Sequence, residues 1–200
     1  SLSEIKEINR IGKTKNKKIR IGVRLNPNTD AKTLSQISTG KKENKFGVNK
    51  NTFYEIINYC KSSKNIDLKC LSVHIGSQIL SNVPYQKMIH VVSSFLEKVS
   101  VNFEFIDFGG GMGIDYASNK KTFDFKKLAL EINKFSKRNE CKIILEPGRS
   151  IIGDTAVLIS KIIYIKENLN KNFIILDAGM NDFIRPALYN AKHTIIPANK

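Results

Sequence analysis

Phe103-Glu104-Phe105-Ile106-Asp107-Phe108-Gly109-Gly110-Gly111-Met112-Gly113-Ile114-Asp115 is the stretch on which the fold turns. Its first half, apolar and aromatic up to Asp107-Phe108, predicts a buried strand. Three glycines follow at once, with Gly113 behind them. Without Cβ atoms they let the backbone take positive φ and turn several N–H groups towards one point. Two readings are open at this level. One is a tight turn from strand to helix; the other is a nest that holds an anion such as phosphate.

The same pattern repeats on either side. Upstream, Lys18 to Leu25 alternates and is rich in β-branched residues, which predicts a strand ended by Asn26-Pro27-Asn28. Leu68 to Ile75 predicts another, running into His74-Ile75-Gly76-Ser77-Gln78. Downstream, Lys142 to Leu145 leads into Glu146-Pro147-Gly148-Arg149. Helices are expected between the strands. One is capped by Asn51 or Thr52 and reaches about Tyr59. A second is opened by Pro84 and reaches about Val99. A third, Phe125 to Phe135, is begun by Thr122 or Asp124. Leu2, Ile5 and Ile8 place one more helix at the start, entered as if part-way along. Residues 28–50 are polar and carry Gly40 and Gly47, so a long loop is expected there.

Ser77 to Gly111 and Gly111 to Glu146 are 34 and 35 residues apart, a fitting length for one βα unit. Helices alternating with apolar strands mean a parallel sheet. The chemically distinctive residues all follow strand C-termini: Arg24 and Asn26, His74 and Ser77, Gly109 to Gly111, Glu146 and Arg149. That is where a (β/α)8 barrel keeps its site, and where an open α/β sheet also binds ligands. Four strands make half a barrel, so further barrel sequence is expected upstream. After Arg149 the texture changes. Ala156 to Lys166 and Phe173 to Leu176 are β-rich with no long helix between them, and His193 to Ile196 suggests a short strand. The expected domains are a partial barrel over 1–152 and the start of a mostly β domain over 153–200.

The composition, 41% hydrophobic and 26% charged, is that of an ordinary globular chain. No apolar run approaches the ~20 residues of a membrane span, and the first residues do not form a signal peptide. Cys60, Cys70 and Cys141 are widely spaced among apolar neighbours, which fits reduced thiols in the cytoplasm and neither a disulfide framework nor a metal site. The net charge of +15 is spread over scattered lysines with no aromatic-basic motif, so nucleic acid is not an expected partner.

Taken together, these loops offer a phosphate nest, a hydroxyl at Ser77, an imidazole at His74, a carboxylate at Glu146 and guanidinium groups at Arg149 and Arg185. A phosphate, an aromatic heterocycle and an amino-acid carboxylate would satisfy them, a combination that suggests pyridoxal phosphate. Four segments carry a resemblance. They are His74-Ile75-Gly76-Ser77-Gln78, Asp107-Phe108-Gly109-Gly110-Gly111-Met112-Gly113, Glu146-Pro147-Gly148-Arg149, and the run from Asp177 through Met180-Asn181-Asp182 to Arg185-Pro186-Ala187-Leu188-Tyr189. In order, they resemble the diaminopimelate decarboxylases, pyridoxal phosphate enzymes of the alanine racemase-fold group that also holds ornithine and arginine decarboxylases.

The resemblance implies a PLP-binding (β/α)8 TIM-like barrel followed by a β domain. It implies that His74 is catalytic and stacks on the cofactor ring, and that Ser77, Gly110 and Gly111 bind its phosphate. Glu146 would pair with the pyridine nitrogen, and Pro147, Gly148 and Arg149 on the same segment would also bind the cofactor. Arg149, Arg185 and Tyr189 would hold substrate carboxylates. The implied reaction is decarboxylation of meso-2,6-diaminopimelate to L-lysine and CO2 in a cytoplasmic homodimer whose site is shared across the interface. The alternatives are a decarboxylase of ornithine, arginine or carboxynorspermidine, or a non-catalytic pyridoxal phosphate-binding homologue. The family's Schiff-base lysine would lie upstream of Ser1, and its Cys-Glu-Ser motif and a further Tyr beyond Lys200. The 200 residues are therefore expected to be a fragment, inactive alone.

Overall fold

The computed structural model describes residues 1–29, 45–116 and 123–198. In chain order come α1 (Leu2–Thr14), β1 (Ile19–Arg24), α2 (Lys50–Ser62), β2 (Ile66–Ser72), α3 (Val83–Leu96), β3 (Phe105–Asp107), α4 (Phe125–Asn139) and β4 (Lys142–Ile144). The strands form one sheet in the order β1-β2-β3-β4, and each neighbouring pair is parallel. Parallel neighbours that follow one another in sequence need a crossover between them. Helices α2, α3 and α4 supply it.

The core lies between sheet and helices. Leu71, Ile106 and Phe108 from the strand side are fully buried, as are Phe53 and Ile56 of α2 and Met88 and Val92 of α3. Phe53 meets Phe95, and Phe108 meets Phe135, edge to face with ring centroids 5.0 Å apart. Edge-to-face contact satisfies the ring quadrupoles while filling the space between layers.

Strands are shorter than the apolar runs that announced them. β2 ends at Ser72 and β3 holds three residues. The ladder goes on for single bonds beyond them, from Val73 N–H to the Asp107 carbonyl (2.8 Å) and from Phe108 N–H to the Ile144 carbonyl (3.1 Å). Val73 and Phe108 are buried with one ladder bond each, and Ile75 is buried beyond the strand end. Helix ends also shift. Asn49, not Asn51 or Thr52, caps α2 by accepting the Thr52 N–H (2.9 Å), and the helix runs on to Ser62. Helix α3 stops at Leu96, short of Val99, whereas α4 continues past Phe135 to Asn139. Asp124 caps α4 through the Lys127 N–H (2.9 Å). Ser1 and Glu4 close a capping box at the start of α1. Thr122, Gly40 and most of the loop expected over 28–50 lie outside the described residues.

A single helical turn, α5 (Arg149–Ile152), follows β4. The described residues separate into two compact units, one of 1–114 with 123–151, the other of 115–116 with 152–198. In the second unit β5 (Ile162–Asn168) and β6 (Lys171–Leu176) form an antiparallel hairpin, followed by the short helix α6 (Arg185–Tyr189). The strand expected at His193 to Ile196 does not form. Ile195 and Ile196 stay exposed, while the His193 ring meets Phe183 and Tyr116 at 4.6 and 5.7 Å. Side-chain contact, not strand pairing, engages that segment. No helix among the described residues is long and apolar enough to cross a membrane.

Candidate active site

Each carbonyl of the triple glycine after β3 has a partner, two of them backbone and one a side chain. The Gly109 carbonyl accepts from Glu146 N–H (2.9 Å), the Gly110 carbonyl from the Tyr85 hydroxyl (2.8 Å), and the Gly111 carbonyl from Ile79 N–H (2.9 Å). Its N–H groups are used unequally. That of Gly109 donates to Asp107 Oδ1 (2.8 Å) and that of Gly110 to His74 Nδ1 (3.2 Å). Those of Gly111 and Met112 have no acceptor among the described residues. Buried backbone donors are nearly always paired. Met112 is buried and Gly111 half-exposed, so two successive unpaired donors beyond the C-terminal end of a parallel strand offer a place for an acceptor.

Close packing explains the glycines. A Cβ on Gly110 would lie 2.0 Å from the Glu146 carbonyl oxygen, and one on Gly111 2.0 Å from that of Gly76. Gly111 also stands at φ 100°, where side chains are strained. The three loops after β2, β3 and β4 are thus pressed backbone to backbone.

His74, Asp107, Glu146 and Arg24 form a charged group at the same strand ends. Because His74 Nδ1 accepts from Gly110, its proton must sit on Nε2. Burial, and then the nearby Arg24 guanidinium, hold the imidazole below its ordinary value, against the pull of Asp107 and of its backbone bond to Gly76. Arg24 donates to the His74 carbonyl (3.1 Å) and lies 5.1 Å over the Phe46 ring. Burial also raises the Asp107 carboxyl, an effect opposed by the Gly109 N–H and increased by the nearby Glu146.

Arg149 donates to Gln78 Oε1 (2.9 Å), and Gln78 Nε2 donates in turn to the Ile114 carbonyl (2.6 Å). Gln78 takes φ 62°, an uncommon state for a residue with a side chain. The Ser77 hydroxyl is half-buried and has no partner among the described residues. Pro147 and Gly148 are exposed on the loop after β4. His74, Ser77, Gly110, Gly111, Glu146 and Arg149 therefore share one set of strand ends in the first unit. Arg185 and Tyr189 lie in the second, one helical turn apart on α6, with the guanidinium 5.7 Å from the ring. Sequence reasoning gave no role to Gln78, which lies in the quoted His74 to Gln78 motif, or to Tyr85. The side-chain partners of both lie more than twenty residues away, so no local pattern reveals them.

These features fit pyridoxal phosphate. Two free N–H groups and a hydroxyl suit a phosphate, a neutral imidazole suits a ring face, and the carboxylates of Glu146 and Asp107 suit a protonated ring nitrogen.

Known proteins agree. The pyridoxal binding domain of the pyridoxal-dependent decarboxylases matches residues 1–153. The diaminopimelate decarboxylase of Aquifex aeolicus is 40% identical over 98% of this chain and 48% of its own length. That of Helicobacter pylori is 41% identical over 98% and 49%. The crystal structure of a Helicobacter pylori diaminopimelate decarboxylase complexed with L-lysine superposes with a TM-score of 0.88 at 40% identity, covering all of this chain and 51% of that one. The chain thus spans about half the length of the curated relatives it matches. Its parallel α/β unit matches the corresponding part of those structures. By sequence and by fold alike, the chain belongs to the pyridoxal-dependent decarboxylases and carries their pyridoxal binding domain.

Proposed function

We propose that this chain is the pyridoxal-binding half of a diaminopimelate decarboxylase. The intact protein converts meso-2,6-diaminopimelate to L-lysine and CO2, the last step of lysine biosynthesis. It works in the cytoplasm as a homodimer with the site shared across the interface. Residues 1–152 form the barrel part and 153–200 begin the β domain. The observation that carries this reading is the pair of unpaired N–H groups at Gly111 and Met112, set beside His74 and the Asp107–Glu146 pair at adjacent strand ends. The curated relatives at about 40% identity, named as diaminopimelate decarboxylases, support the substrate.

When bound, the cofactor supplies a protonated ring that takes up the electron pair left as CO2 departs. The chain's own residues place and tune it. The Ser77 hydroxyl and the Gly111 N–H hold the phosphate, and Gly110, having no side chain, lets the loop close against Glu146. His74, neutral and fixed by Gly110, lies against the ring as the catalytic imidazole. Glu146, carried on the loop with Pro147, Gly148 and Arg149, keeps the proton on the ring nitrogen, because a carboxylate there favours the charged form. Arg149, its fork oriented by Gln78, binds a substrate carboxylate, and Arg185 and Tyr189 are the further carboxylate-binding residues.

The test is to supply the intact gene product and pyridoxal phosphate with meso-diaminopimelate, ornithine and arginine in turn. Release of CO2 and L-lysine from diaminopimelate is expected. Arg185→Ala should lower turnover of diaminopimelate more than that of a basic amino acid. Preference for ornithine or arginine would overturn the substrate, and no CO2 from any of the three would overturn the activity.

A further inference from the structure

The geometry points to Tyr85 as a positioning residue: by holding the Gly110 carbonyl in the core, its hydroxyl turns the Gly111 N–H outward, towards the phosphate. This inference rests on the phosphate site proposed above.

Tyr85 lies in the first turn of α3 and is fully buried, its ring edge to face with Phe123 at 5.4 Å. Phenylalanine would fill the same volume, so the hydroxyl is what calls for an explanation. Its partner is the Gly110 carbonyl, 2.8 Å away. Burial raises the phenol well above its ordinary value, so it stays a donor throughout the physiological range. The described peptides are trans, and across a trans peptide the N–H points opposite to the C=O. With the Gly110 carbonyl drawn inward to Tyr85, the N–H of Gly111 must face the other way. Gly111 is half-exposed, and that N–H has no acceptor among the described residues.

A peptide between two glycines has little steric resistance to flipping, since neither flank has a Cβ. Flipped, it would aim a carbonyl at the phosphate and bury an N–H. The neighbouring peptides are fixed by backbone partners, Gly109 by Glu146 and Gly111 by Ile79. At Gly110 a side chain does that work.

The test compares affinities of the intact apoprotein for pyridoxal phosphate and for pyridoxal, which lacks the phosphate. Tyr85→Phe should weaken pyridoxal phosphate about tenfold, the worth of one well-placed hydrogen bond, and leave pyridoxal unchanged. Equal losses for both ligands would mean a merely structural role, and no loss for either would mean no role; each overturns the proposal. A wild-type protein that binds neither ligand would instead overturn the phosphate site itself. Should Tyr85→Phe not fold, hydrogen exchange in the wild type decides. The Gly111 amide should exchange readily in the apoprotein and be protected by pyridoxal phosphate but not by pyridoxal. An amide already protected without ligand would contradict the outward orientation.

Discussion

His74 combines three constraints in one side chain. Gly110 N–H fixes its tautomer, burial and Arg24 favour its neutral form, and Arg24 also holds its carbonyl. A group whose folded value is depressed binds its proton more readily in the unfolded chain, so stability falls as pH drops below the unfolded value. The ordinary imidazole value is 6.5, which sets the upper end of that window. Between about pH 7.5 and about pH 5.5 the intact protein should therefore lose more stability than its His74→Gln variant. Urea unfolding of both at each pH checks this, and equal losses would mean that His74 titrates as if exposed. The residue types at this site were legible in the sequence, because glycine clusters and a strand-end His, Ser and Glu each carry a local signal. Their bonding was not. That Gly110 spends its N–H on His74, leaving Gly111 and Met112 as the donors, depends on a residue 36 positions earlier in the chain.

Among elements, the repeat of strand and helix was readable because apolar periodicity and caps are local. The parallel order β1-β2-β3-β4 followed from that alternation. Boundaries were less readable, since an apolar residue is equally called for by burial within a strand or beyond its end. Val73 and Ile75 are cases of the second kind. At the start of α2 three neighbouring polar residues compete, and the one that leaves its side chain free to reach Thr52 N–H wins. Asn49→Ala should accordingly cost about 0.5–2 kcal/mol of stability, whereas Asn51→Ala, inside the helix, should cost far less. Their urea midpoints separate the two. The His193 to Ile196 segment shows the opposite limit. Its β-branched pair signals a strand, but a strand needs a partner ladder, and the neighbouring contacts are ring to ring.

For the whole molecule, the basic charge of +15 is compatible with a small anionic ligand and by itself identifies none. What defines the protein is the parallel unit that brings three loops to one end of the sheet, and the match of residues 1–153 to a pyridoxal binding domain. The central claim is that this unit holds pyridoxal phosphate in an enzyme whose covalent anchor lies elsewhere in the intact protein. The direct measurement is the mass of the intact gene product before and after borohydride reduction with pyridoxal phosphate present, followed by peptide mapping. One pyridoxyl phosphate per chain, on a single lysine outside residues 1–200, is the predicted result. No adduct, or one scattered over the surface lysines of residues 1–200, would contradict it.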